Sequence, residues 1–146
     1  MTPDQLSRVE QALNVRLPAA YRYTLLAYPF AGDRDTAGMW LLNDPDAVVK
    51  LNEASRRTKT DRRPWPSHLL AIGHDGGECT FLLDLSVDPA PVVIFDLETG
   101  RTEPLASTFE AFLGKLHDDL AAIAADEQRM AEAYRNKKWW QFWIRP

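Results

Sequence analysis

Residues 69–100 constrain the fold most. Three short apolar stretches, 69–73, 80–86 and 92–97, are separated only by His74-Asp75-Gly76-Gly77 and by Asp88-Pro89-Ala90-Pro91, and Glu98-Thr99-Gly100 follows the last. Connections this short join antiparallel neighbours, because a parallel crossover needs a dozen or more residues. In the middle stretch Phe81, Leu83 and Leu85 alternate with Thr80, Asp84 and Ser86, the period of a strand with one apolar side. A β-meander therefore forms the centre of the chain.

Helical signals flank it. Thr2, Pro3 and Gln5 make a capping box with proline in the first turn, and Leu6, Val9 and Leu13 then share one face. Pro18 starts a second helix, with Tyr21, Leu25 and Tyr28 repeating the pattern until Pro29, so LNVRLPAAYRYTLLAY reads as two short helices at a tight corner. Between residues 30 and 45 the signals favour loop and strand, with Gly38-Met39-Trp40-Leu41-Leu42 a short apolar run between turn residues. Residues 46–60 begin helically and become basic, and Pro64-Trp65-Pro66 enforces an extended connector. After the meander, Ser107 and Glu110 form another capping box. Phe109, Phe112, Leu113, Leu116, Leu120, Ile123, Met130 and Tyr134 follow as one stripe, interrupted by Glu127. The expected class is α+β: an antiparallel sheet flanked by N-terminal helices and a long C-terminal helix.

Size and charge narrow the function. The 146 residues, 45% hydrophobic and 26% charged, suit one domain with a substantial core. Cys79 is the only cysteine, and with a polar, acidic opening segment in place of a secretory leader it points to a reducing cytoplasm. No apolar run approaches the ~20 residues that span a bilayer. The net charge of −4 conceals an asymmetry, since Arg135, Lys137, Lys138 and Arg145 close the chain with no acid among them, leaving 13 basic against 21 acidic residues before them. Such a body disfavours nucleic acid and steers toward a basic partner.

The segments LPAAYRYTLL, GMW at 38–40, WPSHLLAIGHDGGECTFLLDL, VVIFDLETG and PLASTFEAFLGKL, in this order and spacing, resemble the SUKH superfamily. That superfamily includes fungal cell-wall-assembly regulators and many bacterial proteins. The likeness covers about residues 4–117. It implies an α+β fold, an antiparallel sheet flanked by helices, and a binding rather than catalytic role, with no catalytic residues or cofactor to carry over. Many bacterial members are immunity proteins that neutralise a cognate polymorphic toxin, and others are adaptor-like modules. The resemblance divides the chain into a SUKH-like domain at 1–117 and a helical extension with a Trp-rich tail at 118–146, both within one domain. The long helix and the ending KKWWQFWIRP depart from the family pattern.

Each candidate site has a plain alternative. Asp75 and Glu78 could present carboxylates to a basic partner, with glycines allowing close approach, yet the same loop reads as an ordinary glycine-rich turn. Its spacing fits neither phosphate-binding pattern, and His74, Asp75, Glu78 and Cys79 lack metal-ligand spacing. The histidines at 68, 74 and 117 compose no nucleophile–base arrangement, and Cys79 reads as a small buried residue opening a strand. The basic run 56–63 with Trp65 reads as a solvated loop over a tucked tryptophan rather than a nucleic-acid site. In the tail, Trp139, Trp140, Phe142 and Trp143 represent roughly 600–1,000 Å² of apolar surface, more than a monomer ordinarily exposes. Its own domain, a second copy, a partner or a membrane interface could cover it. As a helix its aromatic arc is too broad for a clean membrane face.

The expected function is a stoichiometric immunity protein that holds a toxin through Trp40, Asp75 and Glu78, with Trp139, Trp140 and Trp143 as further candidate partner contacts. The competing reading is a regulatory adaptor or structural module, homodimeric through the C-terminal helix and tail. No enzyme active site, cofactor or metal is expected.

Overall fold

The computed structural model describes residues 1–30, 36–57 and 65–135. The elements run α1 (Pro3–Leu13), α2 (Ala19–Leu26), α3 (Thr36–Trp40), α4 (Pro45–Arg57), β1 (Leu69–His74), β2 (Cys79–Asp84), β3 (Val92–Asp96), β4 (Thr102–Ala106) and α5 (Phe109–Arg135). The strands form one antiparallel sheet in the order β1-β2-β3-β4, so the fold is the α+β meander with flanking helices.

The N-terminal corner forms as its caps dictate. The Gln5 N–H donates to Thr2 Oγ1, the Thr2 N–H donates to Gln5 Oε1, and Leu6, Val9 and Leu13 are buried. Asn14 ends α1 in the left-handed conformation, where asparagine is well tolerated. Glu10 then ties the two helices, accepting from the Leu17 N–H at 2.9 Å and from Arg22 at 2.6 Å. Burial raises the Glu10 pKa, but these bonds and the charge of Arg22 outweigh it and hold the carboxyl below its usual value.

Both faces of the sheet are covered. Leu70, Ile72, Phe81, Leu83 and Val92 join the main core with residues of α1, α2, α4 and α5. On the opposite face Leu69, Ala71, Leu82 and Phe95 pack with Trp65, whose ring meets Phe95 edge-on at 4.9 Å. The tucked tryptophan read from its prolines is thus observed, but the one-sided alternation in β2 is not. Leu82 is fully buried, because Trp65 and Leu51 of α4 supply a second apolar layer that local periodicity does not reveal.

Three further expectations are corrected. Residues 38–42 are not loop and strand: 36–40 form the short helix α3. The Tyr28 hydroxyl fastens this helix from outside, donating to the carbonyl of Leu41 just past its end at 2.8 Å and lying 3.2 Å from Ala37 O. The cap of α5 is Thr108 rather than Ser107, since the Ala111 N–H donates to Thr108 Oγ1 at 3.1 Å. A fourth strand, β4, follows the Glu98-Thr99-Gly100 turn, where polar Thr102, Glu103 and Pro104 had given no strand signal.

The two sheet edges are protected differently. On β1, Asn52 of α4 is almost fully buried, accepting from the Ala71 N–H and donating to Ala71 O, both at 2.8 Å, and to Val48 O at 2.9 Å. It takes the place of a neighbouring strand at the point where the β1–β2 register shifts. The Leu42 N–H adds a bond to Ile72 O. On β4, Pro104 and a register shift blunt an edge whose first three residues are exposed.

Candidate functional site

The end of the sheet where α3 meets the β1–β2 turn gathers the expected residues that can be placed. A Cβ on Gly73 would lie 2.1 Å from Trp40 O, so only glycine lets β1 run against the last turn of α3. Met39 reaches further along the strand, its thioether bordering Gly76. Trp40 is half-buried at the rim of the main core, its backbone against Gly73 of β1, two residues before the turn that carries Asp75 and Glu78.

Asp75 shapes the turn. Its Oδ1 accepts from the Gly77 N–H at 2.8 Å and the Cys79 N–H at 3.1 Å, while the Gly76 N–H donates to His74 Nδ1. Partial burial raises the Asp75 pKa, but the bonds from Gly77 and Cys79 win and lower it below the usual value. Gly76 takes a φ of 84°, which favours glycine. Glu78 is exposed, and its backbone carbonyl accepts from the Leu97 N–H at 2.8 Å.

That last bond exposes two residues that sequence reasoning missed. The antiparallel register sets Cys79 opposite Asp96, bringing the β3–β4 turn beside the β1–β2 turn. Asp96 Oδ1 accepts from the Thr99 and Glu98 N–H groups, bonds that lower its pKa. Glu98 is exposed next to it. Asp75, Glu78, Asp96 and Glu98 therefore make an acidic rim from two turns. DLETG was legible as a turn, but its place beside HDGGE required the strand register.

The rim affects Cys79. Burial, then the charges of Asp75 and Asp96, raise its thiol pKa, which keeps it protonated at neutral pH and makes it a poor nucleophile. The histidines are dispersed: His68 lies 4.0 Å from Asp84, His74 ends β1, and His117 packs against Phe30 from α5. Among the described residues, no group of three or more His, Cys, Asp or Glu side chains could hold a metal ion, and no helix is long and apolar enough to cross a membrane. Of the basic run, Arg56 donates to Leu13 O and Arg57 pairs with Glu53, while 58–64 lie outside the described residues. Trp139, Trp140 and Trp143 lie outside them too.

A four-stranded meander backed by helices, with acidic turns at one end, defines an α+β domain whose exposed chemistry at that end is electrostatic. The SMI1 / KNR4 family (SUKH-1) model matches residues 1–115, and the chain belongs to that family, one of generally non-catalytic proteins. No curated protein and no solved structure matches it. The matched residues stop within α5.

Proposed function

We propose that this protein is a non-catalytic immunity protein of the cytoplasm, binding a basic toxin domain and occluding it stoichiometrically. The observation that carries the reading is the acidic rim of Asp75, Glu78, Asp96 and Glu98, at the end of the strand whose Gly73 packs against the backbone of the half-buried Trp40. An aromatic anchor next to like charges suits capture of a basic protein, the charges accelerating encounter and the ring contributing desolvated contact. Asp75 and Asp96 also hold their own turns, so Glu78 and Glu98 are the groups free of that duty on which recognition can be tested.

The test is affinity capture from the native cell, comparing wild type with Glu78→Lys/Glu98→Lys. The expected result is one stoichiometric basic protein retained by the wild type, with binding weakened at least 10-fold by the double reversal. Its toxicity on separate expression should be suppressed by co-expressing the wild type. Retention of no protein, or of one indifferent to both reversals, would overturn the assignment of this surface.

A further inference from the structure

The C-terminal half of α5 has no role in that reading. From residue 121 to 135 every side chain is exposed except the half-buried Ile123, and Met130 and Tyr134 are 66% and 68% exposed. Yet the stripe that buries Leu116 and Leu120 continues in register beyond them, with Glu127 its one charged position: 116, 120, 123, 127, 130 and 134 alternate steps of four and three, the spacing of a two-helix seam. Alanines at 121, 122, 124, 125, 131 and 133 keep its flanks low, which permits close approach of another helix.

Charge indicates which helix fits. Within 121–135 the first seven residues carry Asp126 and Glu127 and no basic residue, while Arg129 and Arg135 outnumber Glu132 in the rest. The surface is therefore complementary to its own reverse. A parallel pair would set Glu127 against Glu127 within the seam. An antiparallel pair sets Glu127 against Met130 and beside Arg129 of the other copy, and Ile123 against Tyr134, completing each layer of the stripe. We infer that two copies of this chain associate through antiparallel pairing of α5 over residues 123–134. Arg129, already paired with Asp126 within its own helix, then sits between acids of both copies. The seam lies before the Trp-rich tail and does not require it.

Sedimentation velocity on the full chain should give twice the 16.6 kDa chain mass at tens of micromolar. Met130→Glu should shift the dimer dissociation constant upward by at least 10-fold without lowering the unfolding midpoint of the monomer, since Met130 is exposed. Asp126→Lys/Glu127→Lys should also weaken pairing, and adding Arg129→Glu/Arg135→Glu to it should restore pairing. Deleting residues 136–146 should leave the dimer intact. Orientation is read from nitroxides on Ala122→Cys in a Cys79→Ser background. Antiparallel pairing sets the two labels roughly 20 Å apart along the axis, against about 10 Å for a parallel pair. A chain that stays monomeric at these concentrations overturns the inference, as does a dimer unaffected by Met130→Glu or one lost on removing the tail.

Discussion

Residues 109–120 of α5 and residues 121–135 belong to one unbroken helix, yet they are held in different ways. In the first segment Phe109, Phe112, Leu116 and Leu120 are buried, with Phe109 edge-on to Tyr21 at 5.3 Å and Phe112 against Phe81 at 5.6 Å. In the second, helicity rests on intrinsic propensity, with six alanines, and on exposed pairs such as Gln128–Glu132 and Asp126–Arg129. Each such pair contributes about 0.2–0.5 kcal/mol, whereas one fully buried leucine contributes about 1.5–3 kcal/mol. A continuous helix can thus be fold in one half and available surface in the other.

Several measurements would break or sharpen this contrast. Leu116→Ala, at the centre of the packed half, should destabilise the chain by about 2–5 kcal/mol in denaturant unfolding. A smaller loss would mean that α5 is not integral to the core. Gly73→Ala should cost about 3 kcal/mol, because β1 and α3 must separate to admit the new Cβ, and a near-neutral result would refute that close contact. Asn52→Ala strips both polar partners from Ala71 and should cost roughly 2–4 kcal/mol.

Acid titration addresses the turns. The carboxyls of Asp75, Asp84 and Asp96 are all depressed in the folded state, so their stabilisation is complete above the unfolded carboxylate range and disappears as pH falls through the folded values. The unfolding midpoint should hold level down to about pH 5 and fall below about pH 4. Asp75→Asn should flatten part of that fall. The smallest effect belongs to the projecting half of α5. At concentrations low enough for monomer, Met130→Ala should change stability by less than about 0.5 kcal/mol. Amides of residues 125–135 should then exchange well before those of 112–120, which should follow global unfolding. Equal protection of both halves in the monomer would show that the exposed turns are held by something other than their own helix.

The turns and helices were legible to different degrees, for physical reasons. α1 follows from Thr2 and Gln5 because a capping box satisfies its donors within four residues. α3 was misread because Gly38 and a short apolar run carry no local signal for a five-residue helix, whose end is fastened by the distant Tyr28 hydroxyl on Leu41 O. β4 was missed because an exposed edge strand containing Pro104 looks polar and turn-like. Of the candidate site, Trp40, Asp75 and Glu78 were picked from the sequence, and they fall in one neighbourhood. Asp96 and Glu98 were not, since nothing local tells one acidic turn that it lies beside another.

Local sequence was enough for the capped helices and the antiparallel sense of the meander, because caps, turns and periodicity act within a few residues, and the ordered segments between residues 4 and 117 carried the family. Tertiary structure alone decided that β2 is buried on both faces, that Asn52 stands in for a strand, that two acidic turns form one rim, and where along α5 burial ends. Each of these depends on which surfaces meet across long sequence separations, and a local pattern of apolar and polar residues states only that a surface is available, not what arrives to cover it.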